Sequence, residues 1–178
     1  MKAIAAAIAI LALASTAAPA QSPYAGMQDR PIKALSAQQI DDLRAGKGMG
    51  LALAAELNGY PGPMHVLELS GKLALSAEQK RRVQALFDAM KAEATPIGAR
   101  LIEQEGALDR QFASRAITSD ALKDATVKIG LTQAELRNAH LKYHLETAQI
   151  LSPDQMKRYA DLRGYTSDAP ARQHHRMH

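Results

Sequence analysis

The sequence predicts an all-α fold: an elongated, kinked helical hairpin with a capping C-terminal helix, preceded by short N-terminal helices. Three observations carry this. The composition is that of long helices, with no Trp, only 2 Phe and 5 Tyr, and abundant Ala, Leu, Lys, Arg, Glu and Gln. A helix-start signal recurs three times, as Leu35-Ser36-Ala37-Gln38-Gln39, Leu75-Ser76-Ala77-Glu78-Gln79 and Leu151-Ser152-Pro153-Asp154-Gln155. Between the last two copies, apolar residues return at close to the 3.6-residue helical period.

Each start signal has a physical reason. The Ser hydroxyl accepts from a free backbone N–H of the first turn, and the Gln three residues on accepts from the Ser backbone N–H. Two orphan donors of a new helix are thereby satisfied. The preceding Leu can staple onto the fourth helical residue, Ile40 or Met156; in the middle copy that residue is Lys80 and the staple is imperfect. Pro153 falls at the first helical position, where a missing N–H costs nothing.

In chain order, residues 1–20 read as a signal peptide. Lys2 supplies a short positive start, Ala3 to Ala14 an apolar run, and Ala18-Pro19-Ala20 a small-residue cleavage pattern that places the mature start at Gln21. The run is short for a membrane span, and no other apolar stretch is long enough to cross one. No Cys follows it, which argues against a lipid anchor. Export predicts a periplasmic protein. With no Cys in an oxidising compartment, packing and association must hold the fold. The formal charge of +4 and pI of about 9.4 would suit nucleic acid, but export argues for acidic proteins, anionic headgroups or the cell envelope instead.

Residues 21–70 form an N-terminal region. Pro23, Gly26 and Pro31 mark an extended arm, and a short helix follows from Ser36 to about Ala45. Gly46-Lys47-Gly48-Met49-Gly50 lacks the Gly-Lys-Ser/Thr ending and the preceding strand of a phosphate loop, so it reads as a helix stop and tight turn. Leu51 to Leu57 is a second short helix. Tyr60-Pro61-Gly62-Pro63 is a rigid turn, and Met64 to Leu69 a third short piece. The many apolar residues of this region imply that it packs on the helices that follow.

Residues 71–165 carry the main domain. The helix from Ala77 keeps its stripe (Val83, Leu86, Phe87, Met90, Ala94, Ile97, Leu101, Leu108, Phe112) in phase across Pro96, which favours one kinked helix over two. Thr118 or Ser119 starts the next. That helix is apolar on two faces. One holds Leu122, Ala125, Ile129, Thr132, Leu136, Tyr143 and Ile150; the other holds Val127, Leu131, Ala134, Leu141 and Leu145. Both need cover, from the N-terminal third or from a second copy. A last helix runs from Pro153 to about Arg163, and residues 166–178 are a polar tail.

The paired motifs (Leu75, Ser76, Gln79 and Leu151, Ser152, Gln155) bracketing a long helical region in an exported chain resemble the LTxxQ-motif family of bacterial periplasmic proteins. That family includes the Spy and CpxP chaperone-like proteins and the metal-linked ZraP and CnrX. The resemblance covers about residues 70–165, with Leu-Ser where the family more often has Leu-Thr; the two hydroxyls cap alike. It implies a homodimer of curved antiparallel hairpins, and so a second copy as the missing cover. It implies foremost an ATP-independent chaperone or envelope-stress protein that holds unfolded clients. Lys80, Arg81, Arg82, Lys91, Arg100 and Arg110 are the candidate client-binding cations. The alternatives are a periplasmic heavy-metal sensor or resistance protein, and an adaptor docking on a membrane sensor kinase.

Few residues point to chemistry. His140 and His144 sit one turn apart on a helix, a spacing that suits a divalent metal. No Glu follows the first His, so zinc-protease chemistry is excluded. The rival reading of His140 is a buried, hydrogen-bonded structural residue near Tyr143. The resemblance maps a ligand set onto His65, Glu68, His140 and His144. His174, His175 and His178, with Met177, could chelate weakly in the tail. No cofactor is required; Zn, Ni, Co or Cu is the candidate ion. No Ser/His/Asp or Cys/His constellation is present, and an enzyme is not expected.

Overall fold

The computed structural model describes residues 22–166, and every regular element in them is helical. The signal-peptide segment 1–20 and the tail histidines His174, His175 and His178 lie outside the described residues. Six α-helices follow in order: α1 (Ala37–Arg44), α2 (Leu53–Glu56), α3 (Pro63–Glu68), α4 (Ala77–Ala113), α5 (Ser119–Ala148) and α6 (Pro153–Arg163). α4 and α5 pair as the long hairpin; α1 and α3 pack on α4, and α2 on α5.

The helix starts are those the motifs predict. Ser36, Ser76 and Ser152 each accept from the backbone N–H three residues on, and Gln39, Gln79 and Gln155 each close the box. Thr118 caps α5 by accepting from the Ala121 N–H. α6 ends at Gly164 with φ 73°, a left-handed conformation that glycine adopts without a Cβ penalty.

α4 continues through Pro96 as one helix of 37 residues, and Pro96 is exposed. The next turn explains how the short helices reach it. Gly98 is buried beneath the last turn of α1, and a Cβ there would stand 2.4 Å from the Leu43 carbonyl oxygen. Only glycine lets the two backbones meet so closely.

Two apolar clusters form the core. One, along the hairpin, holds Leu35, Leu43, Ala94, Leu101, Ile129 and Leu136. The other, at the base, holds Val66, Leu73, Val83, Ile150, Leu151 and Tyr159. On α4 the turn of Phe87, Met90 and Lys91 falls between these clusters; on α5 the turn of His140 and His144 does.

Several expectations are adjusted. The second short helix spans only Leu53–Glu56, flanked by turns, and the third begins at Pro63. The arm is a run of turns around a 3-10 turn at Met27–Asp29 rather than extended chain. It is anchored: the Lys33 N–H donates to Asp109 Oδ1 at 3.1 Å, and Ile32 packs on the first cluster. The N-terminal third does pack on the hairpin, yet it leaves the outer face of α5 bare. Val127, Leu131 and Leu145 are 53%, 61% and 51% exposed, and Leu141 is half-buried.

Candidate functional site

A cavity of about 620 Å³ lies where the N-terminal third meets the hairpin. Its wall is drawn from every part of the fold. Phe87, Met90 and Lys91 come from α4, His140 and His144 from α5, and Met64 and His65 from α3. The turn after α1 contributes Lys47, Gly48, Met49 and Gly50, and Glu56, Arg163 and Tyr165 close the far side.

His140 and His144 stand one turn apart and are both buried, as their place on the inner face of α5 requires. Their surroundings differ. His144 Nδ1 donates to the Tyr60 carbonyl at 2.7 Å and lies 3.7 Å from Glu56 Oε2. A Cβ at Gly62 would fall 2.8 Å from its Nε2, so the backbone of the Tyr60–Pro63 turn presses on the ring. His140 has no such support. Its Nε2 is buried with no hydrogen-bond partner among the described residues. Gly48 faces its other edge, with a would-be Cβ 3.5 Å from Nδ1. Burial, and secondarily the neighbouring His144, hold the His140 pKa below the ordinary histidine value, which disfavours the charged ring. The structural reading therefore describes His144, whereas His140 is buried and unsatisfied.

The other ligands implied by resemblance are placed differently. His65 lines the cavity, but its Nδ1 is 2.9 Å from Glu68 Oε2, and Glu68 is exposed and outside the wall. Among the described residues no group of three or more His, Cys, Asp or Glu gathers closely enough to hold a metal. The carboxylates at the cavity are engaged. Asp42 binds Lys47 Nζ at 2.8 Å, a contact that holds its carboxyl below the usual range. Glu56 is buried and accepts from the hydroxyls of Tyr159 and Tyr165 and from the Gly62 N–H at 3.2 Å, with Arg163 Nε 3.5 Å away.

The six candidate client-binding cations are all exposed, but they do not share a side. At about 100° per residue, Lys80, Arg81, Arg82, Lys91, Arg100 and Arg110 spread over more than half the circumference of α4. Arg81 is paired with Glu78 and Arg100 with Glu135. Lys91 lies over the Phe87 ring, 5.9 Å from its centre.

The motif glutamines do more than cap. Gln79 Nε2 donates to Gln155 Oε1 at 2.8 Å, and Gln155 Nε2 donates back to Gln79 Oε1 at 3.0 Å. Gln79 also reaches the Ile150 carbonyl at 2.9 Å, and Gln155 the Leu73 carbonyl at 3.3 Å. The starts of α4 and α6 are thus locked to each other. This needs an amide: a Glu could accept from its capped N–H but could not donate across.

Sequence reasoning missed Met49, Met64, Met90 and Glu56 as parts of this region. The one available signal for Met49 was its place between two glycines; it has φ 42°, uncommon for a residue with a side chain.

A family model described as heavy-metal resistance matches residues 48–158, more than half of the chain. A search of the curated proteins and one of the solved structures give no match. The matched span runs from the glycine turn into the first half of α6 and includes both interlocked motifs; the chain belongs to the heavy-metal resistance family.

Proposed function

We propose that this member of the heavy-metal resistance family is a periplasmic metal-responsive protein that binds a heavy-metal ion in the cavity beside His140. One observation carries the reading: a buried imidazole with an unpartnered Nε2, belonging to a residue that lines the cavity. Leaving such an atom unsatisfied costs about 1–3 kcal/mol, which a bound ion would offset. The protein acts by binding rather than by catalysis. Ion binding would draw together α4, α5 and the N-terminal turns that meet at the cavity, a change that a partner in the envelope can read.

The test is calorimetry with Zn(II), Ni(II), Co(II), Cu(II) and Ag(I) on the mature chain carrying His174→Ala, His175→Ala and His178→Ala. The same protein with His140→Ala is run beside it. Saturable binding that His140→Ala abolishes supports the reading. Binding unchanged by His140→Ala, or none with any ion, overturns it.

The outer face of α5 favours a second, compatible reading: association with another copy. Val127, Leu131, Ala134, Asn138, Leu141 and Leu145 follow the alternating four- and three-residue spacing of a coiled-coil seam. Client holding of the Spy and CpxP kind would draw on the same exposed apolar row, so the two uses compete for one surface.

A further inference from the structure

We propose that the cavity ion is a soft monovalent one, Cu(I) or its analogue Ag(I), held by the His140 imidazole and by thioethers of Met90, Met64 and Met49. This deepens the metal-binding reading above and rests on it.

Both carboxylates at the wall have partners already: Asp42 is bound to Lys47, and Glu56 to two tyrosines, a backbone N–H and Arg163. His65 and His144 each engage Nδ1, with Glu68 and the Tyr60 carbonyl, and the Gly62 backbone crowds the His144 Nε2. What is left is neutral: the His140 imidazole, the Nε2 edge of His65 and the methionine sulfurs. Three of the chain's 7 Met residues line this one cavity, from three separate segments: Met49 in the glycine turn, Met64 on α3 and Met90 on α4. Thioether and imidazole donors select soft ions.

Charge gives a second, independent reason. A neutral imidazole and thioethers bring no negative charge to the ion. A divalent cation buried among neutral donors would keep its full charge out of water, at much greater cost than a monovalent one. The charges nearby do not compensate. The Asp42 carboxylate is neutralised by Lys47, and the Lys91 ammonium adds positive charge at the wall.

The backbone supplies a third. Met49 is held in the left-handed region between Gly48 and Gly50, where a side chain is disfavoured. Strain of this sort is retained where the surroundings need the residue in that place. Here it sets a long, polarisable side chain at the cavity, half-exposed and able to swing. Met90, by contrast, is buried and fixed on α4.

The experiment uses the mature full-length chain with His174, His175, Met177 and His178 replaced by Ala, and methionine methyls labelled with carbon-13. Ag(I) is titrated as the redox-inert probe, then Zn(II) and Ni(II). The expected result is one Ag(I) per chain, with shifts of the Met49, Met64 and Met90 methyls and of the His140 ring, and none at Met27 or Met156. Met90→Leu, which keeps volume and removes sulfur, should weaken Ag(I) by about tenfold or more while leaving the melting curve in place. Zn(II) and Ni(II) should leave the methyls unmoved. Zn(II) or Ni(II) binding at His140 in preference to Ag(I), with silent methyls, would overturn the soft-ion inference and leave the metal reading standing. Silence of His140 and the methyls towards every ion would overturn both.

Discussion

The two faces of α5 have similar apolar content and opposite fates. The inner face buries Ile129, Leu136 and Tyr143 against α4 and the N-terminal segments. The outer face leaves Val127, Leu131 and Leu145 more than half exposed. The inner face also carries the polar residues Thr132, His140, His144 and Thr147, all buried, whereas the outer row is almost purely aliphatic. A hydrophobic stripe thus reports that a surface wants cover; it does not report where the cover comes from. The chain supplies its own cover only on the side that α1, α2 and α3 can reach.

The largest expected effect lies on the inner face. Leu136→Ala should cost about 2–5 kcal/mol in denaturant unfolding, because it opens a hole in the packed cluster. Leu131→Ala, five residues away on the outer face, should cost far less; equal costs would erase the contrast. Next comes the end of the inner packing, where the glutamines interlock. Gln79→Glu keeps the cap acceptor but loses donation to Gln155 and Ile150, and should cost about 1–3 kcal/mol on the same curve.

The polar part of the inner face gives a pH effect. Burial depresses the His140 pKa in the folded protein, so below the ordinary histidine range the unfolded chain binds the proton more readily. Stability should be full above pH ~6.5 and fall as pH drops from there towards the folded pKa. His140→Gln should flatten that decline in melts run from pH 7.5 to 5. Glu93 acts in the same direction at lower pH, because its carboxyl too is held below its ordinary value in the folded protein. The Lys142 ammonium, 2.6 Å away, holds its carboxyl low, so that pair weakens only in stronger acid. The smallest effect on folding belongs to the outer row. Leu131→Glu with Leu145→Glu should change monomer stability by less than about 0.5 kcal/mol. In sedimentation the same pair should convert a dimeric wild type to monomers; a wild type already monomeric would remove the second copy as cover.

What the sequence disclosed was local. Capping boxes act over three residues and a helix keeps its phase across a proline, so the starts of α1, α4, α5 and α6 were legible, as was the continuity of α4. The N-terminal third was harder, because Leu51 to Leu57 offers too little length for a helical period to declare itself. Glu56 within that stretch reads as a surface charge and is instead buried. His65 and Glu68 have the spacing of metal ligands, and that same spacing lets them bond each other. Gln79 was recognised as a cap; its bonds to Gln155, 76 residues on, depend on the tertiary fold. The cavity was illegible for the same reason: Met49, Met64, Met90 and His140 share no motif and meet only when four segments pack.

Glu56 has a dynamic consequence. Its carboxylate is the shared partner of Tyr159 and Arg163 on α6, of Tyr165 beyond it and of the turn before α3, and His144 of α5 lies beside it. α2 is only four residues long and could not persist alone. Detaching either α2 or α6 would strand a buried carboxylate, so neither has a low-energy way to open while the other stays. The amides of these two segments, about a hundred residues apart in the chain, should therefore exchange with deuterium at one common rate as a single opening unit, while the tip of the hairpin exchanges on its own schedule.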